Sequence, residues 1–225
     1  MAVPINFYSM SKHQSRRDRL VAFRRELHRM PETAWTEFWT TARIVEELQA
    51  IGVDDVVVGQ EAMEPDLRMS VPDDAQLSSA RDRAREAGAD PELLEAMRGG
   101  YTGCVAVLDR GPGPTVALRV DIDALPQEEA SDGGHLPANK GFRSEHNGQM
   151  HACGHDAHAT FGVGVLEAIK QSDFEGTLKV LFQPAEEVVG GGRAMAESGH
   201  IDDVDHLLAA HVGLDFPTGE VVAGI

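Results

Sequence analysis

Apolar side chains recur every three or four positions over the first fifty residues, then give way to short apolar runs set between glycines and prolines. Leu20, Phe23, Leu27 and Met30 fall on one helical face, so the spacing predicts a helix over 15–30, ended by Pro31. Ala42, Val45, Leu48 and Ile51 repeat that period between Thr36, a candidate N-cap, and Gly52, a candidate helix end. Val53 to Val58 is β-branched and reads as a strand. Thr102–Leu108, Thr115–Val120, Thr177–Phe182 and His206–Ala210 read the same way, with a Gly111-Pro112-Gly113-Pro114 turn between the first two. Asp156–Ile169 and Gly192–Ser198 have helical texture. Strands alternating with helices predict an α/β fold, a mixed, largely parallel sheet flanked by helices.

One stretch breaks the alternation. Residues 59–100 hold ten acids and five bases and read as a partly helical excursion outside the core. Composition narrows the functional classes. The chain has 225 residues, enough for one domain or two small ones, with 37 acidic and 20 basic side chains and a net charge of −17. A nucleic-acid binder needs a basic face to release counterions from phosphate, so no nucleic-acid partner is expected. No apolar run approaches the roughly 20 residues of a bilayer-spanning helix, so no membrane partner is expected either. The N-terminal residues show no apolar signal core, and Cys104 and Cys153 are the two cysteines. A reduced, cytoplasmic location is the simplest expectation.

The reactive side chains cluster where strands end. Thr115–Val120 runs into Asp121 and Asp123, Thr177–Phe182 runs through Gln183-Pro184-Ala185 into Glu186 and Glu187, and His206–Ala210 runs into His211. In open α/β sheets the functional crevice lies beyond the carboxyl ends of the strands, which places all three groups on one rim. Of the ten histidines, seven lie between His146 and His211, and Met150–His158 alone offers a thiol, three imidazoles and a carboxylate. Cys153 and His155 are two apart and would share a side in extended backbone, with Gly154 adding no bulk between them. Mixed sulfur, nitrogen and oxygen donors suit Zn²⁺ or, as carboxylates accumulate, Mn²⁺.

Each feature alone has a plainer reading. Asp121 and Asp123 can cap a turn, the paired glutamates can be solvated surface, and His211 can be a core histidine. Their joint position at strand ends is what argues for a site. Adjacent glutamates also suit amide hydrolysis, in which one carboxylate holds a metal and another takes a proton from water.

The strings RVDIDALP (Arg119–Pro126), MHACGHDAH (Met150–His158), FQPAEE (Phe182–Glu187) and AAHV (Ala209–Val212) resemble, in order, the signatures of the metal-dependent amidohydrolase and aminoacylase family. That family includes hydrolases of indole-3-acetyl-amino acids, hippurate and other N-acyl amino acids. RRELHRMPETAWTEFWTTARIVEEL (Arg24–Leu48), RMSVPDD (Arg68–Asp74) and EAMRGGYTGCVAVLD (Glu95–Asp109) are similar to the branch that splits p-aminobenzoyl-glutamate, so the likeness runs along the whole chain. The resemblance implies a Zn-peptidase-like catalytic domain with two divalent ions, Mn²⁺ or Zn²⁺. It implies Cys153, His155, Glu187 and His211 as metal ligands, with Cys153 bridging, and Glu186 as general base. Asp121 and Asp123 would orient the ligand imidazoles. The implied substrate is a small N-acyl amino acid, p-aminobenzoyl-glutamate first and hippurate-type compounds as the alternative.

Members of that family are longer. After a strand beginning near Gly219 they carry a lid and dimerisation domain, then the rest of the catalytic domain with a last histidine ligand. The resemblance therefore implies that residues 1–225 form the N-terminal part of a catalytic domain. A homodimer, or a heterodimer with a related second subunit, would form through the lid. The 225 residues alone are expected to hold metal weakly and turn over little, and could instead be a non-catalytic metal-binding or subunit-pairing piece. The residues themselves leave one further reading open, Cys153 as a nucleophile with His155 or His158 as its base.

Overall fold

The computed structural model describes residues 16–213 together with Pro217 and Glu220. The strand expected near Gly219 lies outside the described residues. Two helices open the chain, α1 (Arg16–Arg29) and α2 (Phe38–Ile51). Gly52 ends α2 in the left-handed region at φ 75°, where its amide returns to Leu48 and Gln49 carbonyls. The start of α2 differs from expectation. Thr36 Oγ1 turns back to the Thr33 carbonyl, and the free amides of Trp39 and Thr40 are taken instead by the buried Glu32 carboxylate, at 3.1 and 2.7 Å. A carboxylate with two oxygens satisfies two orphan donors where a hydroxyl satisfies one.

The sheet is built from β1 (Asp55–Val58), β2 (Cys104–Asp109), β3 (Thr115–Asp121), β4 (Thr177–Gln183) and β5 (His206–Ala209), in the order β1-β2-β4-β3-β5. β3 is parallel to β4 and β5, while β2 is antiparallel to β1 and β4. Four strands therefore share one direction and β2 alone opposes it, a mixed, largely parallel sheet. The register sets Asp121 beside Gln183 and Arg119 beside Ala209, so β3, β4 and β5 end on the same rim. β5 is an edge strand with Leu207 and Leu208 exposed.

The segment 59–100 contains two short 3₁₀ turns followed by α3 (Asp74–Glu86) and α4 (Pro91–Ala96). Contrary to expectation it enters the core. Leu77, Ala80 and Ala84 form a buried stripe on α3, and Leu94 and Met97 are almost wholly buried. Full burial of a Leu or Met contributes roughly 1.5–3 kcal/mol each, so this segment helps hold the fold. After β3 come α5 (Leu136–Asn139), α6 (His155–Lys170) and, beyond β4, α7 (Gly192–Ala196).

The central packing element is α6. His155, His158, Ala159, Gly162, Val163 and Leu166 are among its buried residues, at helical spacing. It packs on β3 and β4, with α1 and α2 packed against it. A Cβ at Gly162 would meet the Phe182 ring at 2.7 Å, so only glycine allows this approach of helix to sheet. That approach delivers the first turn of α6 to the rim where the strands end. Cys104 and Cys153 are free thiols, and no helix among the described residues is long and apolar enough to cross a membrane.

Candidate metal centre

Three elements meet at the rim, the end of β3, the entry to α6 and the turn after β4. Asp123 ties them together. Its Oδ1 lies 3.3 Å from His155 Nδ1 and accepts the Glu186 amide at 3.1 Å, while its Oδ2 accepts the Glu187 amide at 3.0 Å. An ionised carboxylate only accepts, so His155 carries its proton on Nδ1 and turns the Nε2 lone pair inward. That Nε2 is fully buried and has no hydrogen-bond partner. Around it stand Glu187 Oε1 at 3.7 Å, itself unpartnered, Glu186 Oε2 at 3.9 Å and Asp121 Oδ1 at 3.7 Å.

His211 approaches from the end of β5. Its Nδ1 donates to the Val212 carbonyl at 2.8 Å, which leaves Nε2 facing Cys153 Sγ at 3.3 Å. Ligand atoms of Cys153, His155 and His211 lie within 4.8 Å of one another, as do those of His155, Glu186 and Glu187. His155 belongs to both groups. The structure thus gathers Cys153, His155, Glu186, Glu187 and His211 around one buried nitrogen.

Cys153 and His155 do not meet through extended backbone. Gly154 between them is left-handed at φ 85°, and His155 is the first residue of α6. A Cβ on Gly154 would sit 2.5 Å from Val212 Cγ2, so the turn needs glycine for both space and conformation.

A third donor group, Asp121, His155 and His158, is closed. His158 Nδ1 is hydrogen-bonded to Asp121 Oδ1, and His158 Nε2 accepts the Val212 amide at 2.9 Å, so neither nitrogen is free for an ion. Asp121 therefore positions His158, which in turn fixes the backbone beside His211. Sequence reasoning gave His158 no place in this scaffold. Its spacing from His155, three positions along one helical face, is the signal that would have found it. Arg119 is the other addition. Its Nε donates to Gln183 Oε1 at 2.7 Å, Nη1 lies 3.0 Å from Asp121 Oδ2, and Nη2 lies 4.0 Å from Glu186 Oε1.

The electrostatics favour a bound cation. Burial foremost, with Asp123 and Glu186 nearby, pushes the Glu187 carboxyl up. Burial opposes a proton on His155, but the Asp123 hydrogen bond and the charges of Asp121, Asp123 and Glu187 outweigh it, so this imidazole is raised. Burial likewise opposes the charge on Asp121, and the His158 bond with nearby His155 and Arg119 pulls the carboxyl below its ordinary range. Burial, then Glu187, Glu186 and Asp121, push the Cys153 thiol up to about 11. A thiol so placed is a poor free nucleophile, and the imidazole within hydrogen-bond distance of it is His211, whereas the nucleophile reading named His155 or His158. Two Nε2 lone pairs, a thiol and two carboxylates, several of them unpartnered, form a donor set that fits one or two divalent ions.

Residues 117–225 match the family pattern described as peptidase family M20/M25/M40. The chain is 46% identical over 208 residues to indole-3-acetyl-aspartic acid hydrolase of Enterobacter agglomerans, covering 91% of this chain and 48% of that protein. It is 44% identical over 209 residues to one of the named subunits of p-aminobenzoyl-glutamate hydrolase of Escherichia coli strain K12, covering 92% and 48%. Among solved structures, a Bacillus subtilis protein described as a dinuclear metal binding peptidase from the M20 family aligns with a TM-score of 0.63 at 31% identity, covering 88% of this chain and 44% of that one. The chain spans about half the length of the curated relatives it matches. The fold, the ordered signatures and these likenesses agree on one family, and it is peptidase family M20/M25/M40, whose pattern residues 117–225 match, that this chain resembles.

Proposed function

We propose that the complete gene product hydrolyses the amide bond of N-acyl amino acids in a metal-dependent reaction. The observation that carries this reading is the convergence of His155 Nε2, Glu187 Oε1, Cys153 Sγ and His211 Nε2 beside a second carboxylate, Glu186, on a turn pinned by Asp123. Cys153, His155, Glu187 and His211 would hold the ions. The Glu186 side chain is 37% exposed against 19% for Glu187, which leaves Glu186 the freer of the two to meet substrate. Two divalent ions, when bound, would supply Lewis-acid activation of the amide carbonyl and of water.

Glu186 would accept the proton of the attacking water and pass it to the amide nitrogen as the C–N bond breaks, releasing a carboxylic acid and an amino acid. Asp123 would keep His155 in the tautomer that offers Nε2 and hold the Glu186 amide in place.

The substrate we favour is p-aminobenzoyl-glutamate. The names of the two relatives both describe an aromatic acyl group joined to an acidic amino acid. Indole-3-acetyl-aspartate is the second reading, favoured by the slightly higher identity of 46%. Either substrate is a dianion that a net charge of −17 would repel at long range. Two divalent ions would offset four of those charges where the carboxylates dock. The Cys153 thiolate favours Zn²⁺ and the carboxylates tolerate Mn²⁺. The Escherichia coli relative is named as one subunit of its hydrolase, which supports assembly with a second subunit.

The test is release of the aromatic acid from both substrates, followed by chromatography, with the metal-loaded gene product and its Glu186→Gln variant. The variant is expected to lose roughly 10²–10⁴-fold in kcat while still binding metal. No release by the wild type, or equal rates in the two proteins, would overturn the reading.

A further inference from the structure

Glu186 sits in a turn whose backbone is held from behind. Ala185, the residue before it, has φ 53°, left-handed for a non-glycine residue, and such a conformation persists only where the surroundings enforce it. The Ala185 carbonyl accepts the Gly190 amide at 2.8 Å within the turn, and the Ala185 amide is held from outside by Glu37, at the start of α2 and 148 positions away in sequence. Glu37 is 0% exposed. Its Oε1 accepts the Ala185 amide at 2.9 Å and its Oε2 accepts the Thr102 hydroxyl at 2.6 Å. Thr102 is itself fully buried at the entry to β2, and the next residue, Gly103, donates its amide to Thr41 Oγ1 on α2 at 2.8 Å. The Glu37 side chain is thus clamped between a helix and a strand.

Counted along the turn, three consecutive amides are captured by two carboxylates. Ala185 goes to Glu37, while Glu186 and Glu187 go to Asp123. The Glu186 and Glu187 amides fix the peptide planes on both sides of the Glu186 Cα, and the Ala185 amide fixes the plane before them, so the three together set the direction in which the Glu186 side chain leaves the backbone. Asp123 also serves His155, whereas Glu37 reaches the turn and Thr102 and touches no candidate ligand. A carboxyl group wholly buried beside Asp123 is costly to keep for packing alone unless its polar atoms are bonded, and both Glu37 oxygens are.

We infer that Glu37 is a positioning residue for Glu186, acting through the Ala185 amide to aim the glutamate carboxyl at the scissile bond. This rests on the reading of Glu186 as the base. Transfer by a positioned carboxylate contributes about 10²–10⁴-fold, and small misplacements forfeit a large part of it, so loss of the clamp costs kcat rather than substrate affinity.

The experiment compares Glu37→Leu, which keeps volume and removes the acceptor, with Glu37→Gln, which keeps an acceptor oxygen for Ala185. Both are made in the complete gene product, loaded with Mn²⁺ and assayed on whichever of p-aminobenzoyl-glutamate and indole-3-acetyl-aspartate the wild type turns over. Glu37→Leu is expected to lower kcat at least about tenfold, with KM within about twofold and Mn²⁺ affinity by calorimetry unchanged, and Glu37→Gln to stay within about threefold of wild type. Wild-type kcat per folded molecule in Glu37→Leu, or an equal loss in Glu37→Gln, overturns the inference. A parallel Glu186→Gln protein separates the two claims. If it is active, the base assignment itself fails, and if it is dead while Glu37→Leu is not, Glu37 alone is at fault. Should Glu37→Leu fail to fold, Glu37→Asp decides instead, because it keeps the carboxyl group and withdraws the acceptor by one methylene. Normal kcat in that variant overturns the inference.

Discussion

Asp123 and His155 meet at 3.3 Å, Oδ1 to Nδ1, and the same carboxylate takes the amides of Glu186 and Glu187. One side chain thereby sets the tautomer of an imidazole on α6 and the course of the turn after β4. Three donors converge on two oxygens, and asparagine offers one. Asp123→Asn in the complete gene product is therefore expected to weaken divalent-metal binding about 10–100-fold while leaving far-UV circular dichroism unchanged. Calorimetric titration with Zn²⁺ checks it, and wild-type affinity would remove Asp123 from this role.

Gly154 carries the turn between Cys153 and His155 at φ 85°, and its missing Cβ would lie 2.5 Å from Val212 Cγ2. Gly154→Ala faces both penalties at once. The left-handed conformation alone costs roughly 1–2 kcal/mol, and the contact with Val212 pushes back the residue next to His211. Urea denaturation is expected to show at least that loss, accompanied by weaker metal binding. A variant as stable as wild type with unchanged affinity would mean that the turn adapts freely.

Cys153 gives a prediction about reactivity. Its thiol is pushed up to about 11 by burial and by Glu187, Glu186 and Asp121. The thiolate is the reacting form, so alkylation of the metal-free protein by iodoacetamide should be slow at neutral pH and rise close to tenfold per pH unit between about 8 and 10. Cys104, wholly buried and raised further, should stay silent. A rate that plateaus near neutrality would instead point to a thiolate–imidazolium pair with His211. Added metal should protect Cys153.

Much of this architecture is legible in the sequence, for a physical reason. A buried strand or the buried face of α6 writes its period into the chain, and the cluster of candidate groups at strand ends follows directly from where strands stop. The stretch 59–100 is harder to read because α3 shows most of its circumference to water. Its buried stripe of Leu77, Ala80 and Ala84 is narrow and made largely of alanine, so average polarity hides it. The cap of α2 escapes a reading of the sequence because Glu32 lies six residues before the helix, outside any local capping pattern. Glu37 and His158 act through partners 148 and 54 positions away, and no window along the chain contains both ends of such a contact.

Glu32 links that distant cap to pH. It is buried, and burial pushes its carboxyl up to about 7 although the Thr40 and Trp39 amides and the charge of Arg83 pull the other way. The folded protein therefore holds this proton more tightly than the unfolded chain, whose carboxyl titrates at its ordinary value of 4.5. The stabilising contribution is complete below the unfolded value and is lost as pH rises toward about 7. At about 1.4 kcal/mol per pH unit the loss is on the order of 3 kcal/mol. Glutamine has nothing to lose over that range and keeps one acceptor for the α2 amides. Glu37, which burial and the charge of Asp123 push up to about 8, titrates alike in both proteins and cancels from the comparison. Glu32→Gln should thus gain stability relative to wild type steadily from pH 5 to about 7.5 and no further. Urea denaturation of the metal-free proteins across that range measures the difference, and parallel profiles would show that Glu32 is ionised in the fold at every pH tested.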